Sequence, residues 1–431
     1  MKRFLAPAAL AAALLLPGQL LAAEKPSELK VGITAFLSGP ASVFGEPAKA
    51  AAEMMIEDMN AKGGIGGVPV RAFYVDEGAG GEALLAEYRR LVQDEKTDVM
   101  FAAISSGNCN TIAPLAEDLK ILNFMWDCGT QRIFEEKDYR YVYRTQANAT
   151  PEMLSTLLYL LKTKPDFKTI AVVNQDYAWG RDSWAIFSAA LKALKPDVEV
   201  VAEFFPKFGA ADFSTEISRL QAQRPDVILS TSWGGDLDTF VRQASQRGLT
   251  QTSTLVLPLA ESSLERLGNA LPPGHIVGAR GEHYFLHPEK KSDPEFKKFV
   301  EDFKVKTGAY PIYPVFHMSQ ALAALKAAYD KAIEANGGEW PSHEQVVDQM
   351  DGLAFTGLGR EVRIREDNQG IEDQLLGTTI NADGYAFPVL DNMIMFDGDQ
   401  ITTPVGKESI EWLQTLKPGF VDEVKTETFR H

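Results

Sequence analysis

Two cysteines and six histidines are few for a chain of 431 residues, and their scarcity removes whole classes of chemistry. The histidines, His275, His283, His287, His317, His343 and His431, form neither a His-Glu-x-x-His nor a Cys/His zinc pattern. His283 and His287 stand four apart, but Pro288 and the turn-like HPEKKSDP argue against a helix presenting both. No metal site is expected. A Gly-x-Ser-x-Gly elbow and a Walker sequence are also missing. Ser27-Glu-Leu-Lys30 and Lys306-Thr307-Gly308 resemble two penicillin-recognising motifs only superficially, because Ser-Asp-Asn is absent. The run Gly63-Gly64-Ile65-Gly66-Gly67 follows a helical stretch and precedes a strand, the reverse of a phosphate cradle, and reads as a helix stop and turn. Nothing assembles a nucleophile, a base and an orienting group, so neither catalytic residues nor a cofactor are expected.

Long apolar runs are equally scarce. After residue 23 no segment approaches the ~18 continuous apolar residues of a membrane span. The opening residues are the exception: Lys2-Arg3, an apolar run over 4–16, a Pro17-Gly18 break and Leu21-Ala22-Ala23 read as a signal peptide spanning 1–23 and cleaved near Ala23. No cysteine stands there to carry a lipid, so the expectation is an exported protein free in the periplasm, without stable membrane insertion. Basic residues are short too. Lysine and arginine number 43 against 59 acidic residues, a net charge of −16, and losing Lys2 and Arg3 with the leader makes it more negative. Such a surface repels nucleic acid and anionic lipid.

What is present is alternation. Strand-like runs at 30–34, 70–75, 99–103 and 121–125 are separated by amphipathic stretches at 46–60, 82–93 and 111–119. A second series follows Asn148-Ala149-Thr150-Pro151, with strands at 170–174, 198–204, 227–230 and 254–257 and helices at 183–194, 213–223 and 237–246. The pattern predicts an α/β protein of two doubly wound lobes. The remainder holds a long helical pattern at 316–335 and β-rich stretches at 362–364, 375–380 and 386–395, and the tail from 403 allows one short helix.

Seven segments in one order then resemble a known family: SGPASVFG (38–45), MNAKGGIGG (59–67), APLAEDLKI (113–121), YAWGRD (177–182), ADFSTEISRL (211–220), RPDVI (224–228) and FVRQASQRGL (240–249). They resemble type I periplasmic solute-binding proteins of ABC importers, in the leucine/isoleucine/valine-binding branch. The resemblance implies two lobes joined by three crossovers: 27–146 with 282–356, and 147–281 with 357–400, followed by a tail at 401–431. It also implies a small-molecule ligand closed between the lobes and delivery to a membrane permease.

Ligands of open α/β sheets sit beyond the carboxyl ends of strands, where ISSGNCN (104–110) lies. Amides and hydroxyls leading into a helix amino terminus suit a carboxylate. By the family pattern Ser106 and Thr130 bind that carboxylate, with Ser105 and Asn108 as neighbours. Phe44, Trp179 and Trp233 stand where the family places tyrosines. Glu261 is a shifted match to the family's acidic partner of the ligand amino group, and Tyr313 a weaker candidate. Larger aromatic faces without a clear ammonium partner favour an aromatic or extended organic acid, with branched-chain or other amino acids as the alternative. A sensing partner of a membrane receptor and a periplasmic enzyme on the same fold are the competing functions. Cys109 and Cys128 follow strands expected to be adjacent at one sheet edge, and in an oxidising compartment they are expected to form a disulfide.

Overall fold

The computed structural model describes residues 24–431; the expected leader lies outside them. Strands β1 (Leu29–Ala35), β2 (Val70–Asp76), β3 (Val99–Phe101), β4 (Leu122–Met125) and β5 (Val142–Arg144) form one parallel sheet in the order β2-β1-β3-β4-β5. A second sheet begins with β6 (Thr169–Val173), β7 (Glu199–Phe204), β8 (Val227–Leu229), β9 (Thr254–Leu257) and β10 (Ile276–Gly278), all parallel. A small antiparallel sheet, β11 (Ala354–Thr356), β12 (Glu361–Ile364) and β13 (Gly370–Ile371), precedes β14 (Gln374–Ile380), β15 (Val389–Phe396) and β16 (Thr426–Phe429). These last three extend the second sheet antiparallel, giving β16-β15-β14-β10-β9-β8-β6-β7.

Burial follows the sheet type. Every residue of β3 and β8 is buried, because helices cover both faces of a parallel sheet and its strands become continuous apolar runs. β12, Glu-Val-Arg-Ile, alternates exposed and buried as a strand with one wet face must. The chain passes between the large sheets three times: after β5, after β10, and between β13 and β14. Two α/β lobes result. Residues 401–431, set apart in the sequence as a tail, carry the helix Ser409–Thr415, which packs on Ala178–Leu194, and β16, which pairs along β15.

Helices that follow strands begin earlier than their apolar periodicity suggests. Ser106–Leu119, Ala178–Leu194 and Gly234–Gln246 each open with a turn of polar, small or aromatic residues. Those turns face the space between the lobes rather than a core, so they carry no hydrophobic signal. The helix Pro294–Thr307 was hidden by its turn-like prelude, although Asp293 caps it, Pro294 opens it and Gly308 closes it.

Cys109 and Cys128 form a disulfide across a sequence separation of 19 residues. β3 and β4 are neighbours as expected, but β5 lies outside them, so the bridge sits one strand in from the sheet edge. Closing a loop of this size stabilises by about 3 kcal/mol in the chain-entropy treatment. The Cys109→Ser, Cys128→Ser double variant is therefore expected to lose about that much in urea denaturation, and the unreduced wild-type protein to show no titratable thiol after unfolding. Two titratable thiols would disprove the bridge.

Candidate ligand cleft

The carboxyl ends of both parallel sheets face one another across a narrow cleft lined by Ile104, Ser106, Gly129, Tyr177, Trp179, Trp233, Leu259 and Arg280. Three of these, Ser106, Trp179 and Trp233, were read from the sequence. The lobes are closed on each other. Thr130 Oγ1, beyond β4, donates to Asp182 Oδ2 on the helix after β6 at 2.8 Å, and Arg132 Nε reaches Asp182 Oδ1 at 2.9 Å. A Cβ on Gly129 would collide with the Trp179 ring, so only glycine allows that approach.

The strand-end nest is partly occupied by the protein itself. Glu77, fully buried, accepts from the amides of Ile104 (2.9 Å) and Ser105 (2.8 Å), from Asn108 Nδ2 (3.0 Å) and from Thr34 Oγ1 (3.3 Å). Ser105 and Asn108 are thus turned to an internal carboxylate. Ser106 remains on the cleft wall, its Oγ accepting from the Thr130 amide at 3.2 Å.

The aromatic side chains converge. Phe44 packs on Trp233 with centroids 5.2 Å apart and on Tyr313 at 4.9 Å; Phe36 and Phe208 flank Trp233 at 5.7 and 5.6 Å. Both indole N–H groups are already committed, Trp179 Nε1 to Thr231 O at 2.8 Å and Trp233 Nε1 to Tyr177 Oη at 2.6 Å. Their ring faces alone remain for recognition.

Arg280, which sequence reading missed, supplies the cationic group of this wall. It is buried, with its guanidinium 5.3 Å from the Trp179 ring centroid and 5.4 Å from that of Tyr313. Nη1 donates to Asp127 Oδ1 (2.6 Å), Nη2 to Asp127 O (2.9 Å) and Nε to Glu152 (3.2 Å). A guanidinium has five N–H donors, so these bonds leave one on each terminal nitrogen, with the Tyr313 hydroxyl beside the group as a partner for one of them. Burial works against its charge, but Asp127 and Glu152 outweigh that and raise its pKa above the ordinary value; burial pushes both of those carboxyls up. Its only sequence signal was position, two residues past a three-residue strand.

The acids around the cleft are engaged within the fold. Glu261 Oε2 accepts the Tyr313 amide at 2.9 Å, and burial raises its pKa well above the carboxylate range. Asp236 accepts from Gln175 Nε2 at 2.9 Å and the Gly209 amide at 2.7 Å. Glu77 offers a test by pH. Burial, outweighing its hydrogen bonds from Asn108, Ser105, Ile104 and Thr34, raises it from 4.5 to about 7. The folded state then holds more protons between those values, so stability falls as pH rises through that window. Glu77→Gln, uncharged throughout, is expected to flatten this part of the profile in urea melts. Equal slopes for variant and wild type from pH 4.5 to 7 would remove Glu77 as the source.

Comparison with known proteins places this geometry. The family described as periplasmic binding protein matches residues 28–384. The Leu/Ile/Val-binding protein homolog 7 of Brucella suis is 26% identical over 384 residues, covering 86% of this chain and 92% of its own. In fold, the chain is similar to a solute binding protein of an ABC transporter from Rhodopseudomonas palustris, solved in complex with 3,4-dihydroxybenzoic acid. The TM-score is 0.74 at 19% identity, with 89% of this chain and 100% of that one covered. It is likewise similar to the closed leucine-, isoleucine-, valine-, threonine- and alanine-binding protein of Brucella ovis, with a TM-score of 0.72, 21% identity and coverage of 88% and 98%. The family match spans most of the sequence, and with two α/β lobes closed over an aromatic cleft the chain belongs to the type I periplasmic binding proteins of the leucine/isoleucine/valine-binding family, which bind substrates for transport rather than transform them.

Proposed function

We propose that this protein is the substrate-binding component of an ABC importer, capturing an aromatic or extended organic acid in the periplasm and delivering it to a membrane permease. The observation that carries the reading is the make-up of the cleft: indole faces and a guanidinium with N–H donors to spare, among acids already bonded within the fold. The ligand carboxylate is received by Ser106, Arg280 and the amides that open the helix Ser106–Leu119, with Thr130 latching the lobes through Asp182. Its ring is held by Trp179 and Trp233, backed by Phe44, each ring pair adding about 0.5 to 1.5 kcal/mol beyond area burial. The fold relative solved with 3,4-dihydroxybenzoic acid supports this class.

One observation favours the amino-acid alternative. Asp127 Oδ2 is buried without a hydrogen-bond partner, and an ammonium group would satisfy it.

Calorimetry and melting of ligand-stripped protein separate the two. Benzoate or a hydroxybenzoate at 100 times its dissociation constant is expected to add about 2.7 kcal/mol of stability, with a change in indole emission, and leucine to add nothing comparable. Arg280→Met is expected to weaken the acid by about 1.5 to 3 kcal/mol, the worth of a hydrogen bond to a charged group. Micromolar leucine binding without binding of the aromatic acids would overturn the reading.

A further inference from the structure

Behind the cleft, where the three crossings meet, lies a cluster that the ligand reading does not use. His283, His317 and Glu372 are all buried, and one donor atom from each falls within 4.8 Å of the others. We propose that they form a site for a divalent cation of the Zn²⁺ type that fastens the hinge.

The donor chemistry supports this. His283 Nε2 stands 2.7 Å from Glu372 Oε1, yet neither ring nitrogen of His283 has a hydrogen-bond partner of proper geometry. Buried polar groups are nearly always satisfied, yet His283 Nε2 has only the Glu372 carboxylate beside it and Nδ1 has no partner. His317 meets Asp127 Oδ1 through Nδ1. A carboxylate on one ring nitrogen is the usual support for an imidazole that ligates a metal through the other. Nε2 is hydrogen-bonded to Arg280 O at 3.1 Å, a bond that a cation would replace, with that carbonyl as a fourth donor. Donors around a tetrahedral Zn²⁺ with bonds of about 2.0 to 2.1 Å lie roughly 3.3 Å apart, within the 4.8 Å that bounds the three donor atoms here, so the His283–Glu372 contact at 2.7 Å would widen on binding. Two imidazoles with a carboxylate suit Zn²⁺ better than Mg²⁺ or Ca²⁺, which prefer oxygen.

The surroundings fit a cation. Asp127, Glu152 and Glu372 set three buried acids against two buried guanidiniums, Arg280, which contacts two of them, and Arg144, which is coupled to Glu152. Gly281, at φ +102, keeps the space clear: a Cβ there would come within 2.6 Å of His283 Nε2 and 2.8 Å of Glu372 Cδ. Position gives the site its role. His283 lies on the second crossing and Glu372 on the third, and the other oxygen of Glu372 accepts the Ala147 amide of the first at 3.0 Å. One ion would therefore tie all three. The sequence hides the cluster because its members stand 34 and 55 residues apart, outside any short motif.

The test uses the mature protein treated with chelator, dialysed and titrated with zinc chloride. One saturable equivalent per chain by calorimetry and elemental analysis is expected, together with a raised melting temperature. His283→Ala should abolish that equivalent, and Glu372→Gln should weaken it strongly. His287→Ala, which disrupts the separate group of Glu282, His287 and Glu289, should leave it unchanged. If His283→Ala does not fold, nitrogen-15 imidazole spectra of the wild type decide: His283 and His317 must shift on Zn²⁺ addition while His343 does not. No saturable binding, binding that survives His283→Ala, or binding lost in His287→Ala would overturn the proposal.

Discussion

The buried guanidinium of Arg280 is the interaction on which the closed protein depends. A charge removed from water is tolerated only when paired and hydrogen-bonded, and removing one partner of such a pair costs about 3 to 5 kcal/mol. Its partners come from both sides. Asp127 follows β4 of the first sheet, and Glu152 lies on the helix Ala149–Thr163, which packs against the second. Separating the lobes pulls this set apart, so closure and charge satisfaction are one event. Arg280 itself adopts φ +47, a conformation that costs a non-glycine residue on the order of 1 kcal/mol or more and persists only where its surroundings fix it. Here the surroundings are the two acids, the Trp179 and Tyr313 faces and the His317 bond to its carbonyl.

Much of the architecture was legible because parallel strands covered on both faces are continuous apolar runs. β1, β6 and β9 stood out in this way. β5 (Val-Tyr-Arg) and β10 (Ile-Val-Gly) did not, since Arg144 and Gly278 cut their apolar runs to two residues, whereas β3 and β8 are apolar throughout. The cleft was legible in part for a related reason. Ser106, Trp179 and Trp233 lie in first helical turns or at strand ends, where local order announces a ligand edge. Arg280 and Glu77 owe their roles to distant partners, Asp127 and Glu152 for one, Ile104 and Asn108 for the other. No window of sequence contains both halves of those bonds.

Glu77 also changes what the strand-end nest can do. A helix amino terminus with free amides attracts an anion, and ISSGNCN offers such a terminus. The protein's own carboxyl takes the amides of Ile104 and Ser105, leaving Ser106 on the cleft wall. The nest is therefore narrowed. On the proposed reading, an incoming carboxylate would draw on Arg280 as well as Ser106.

The tryptophans complete this logic. Where the family places tyrosine, a hydroxyl can reach into the cleft and bond a polar ligand. Trp179 and Trp233 each carry one N–H, and both are spent inside the second lobe, on Thr231 O and Tyr177 Oη. What they present is surface, held at fixed orientation by those same bonds. Recognition by two oriented faces and one cationic fork rewards a flat anion, because a ring gains contact along its whole plane while a branched aliphatic chain touches each face at a few atoms. Phe36, Phe44 and Phe208 around Trp233 prevent its indole from turning aside to fit a rounder ligand. On the proposed reading, selection for shape would come from the second layer of rings and selection for charge from Arg280.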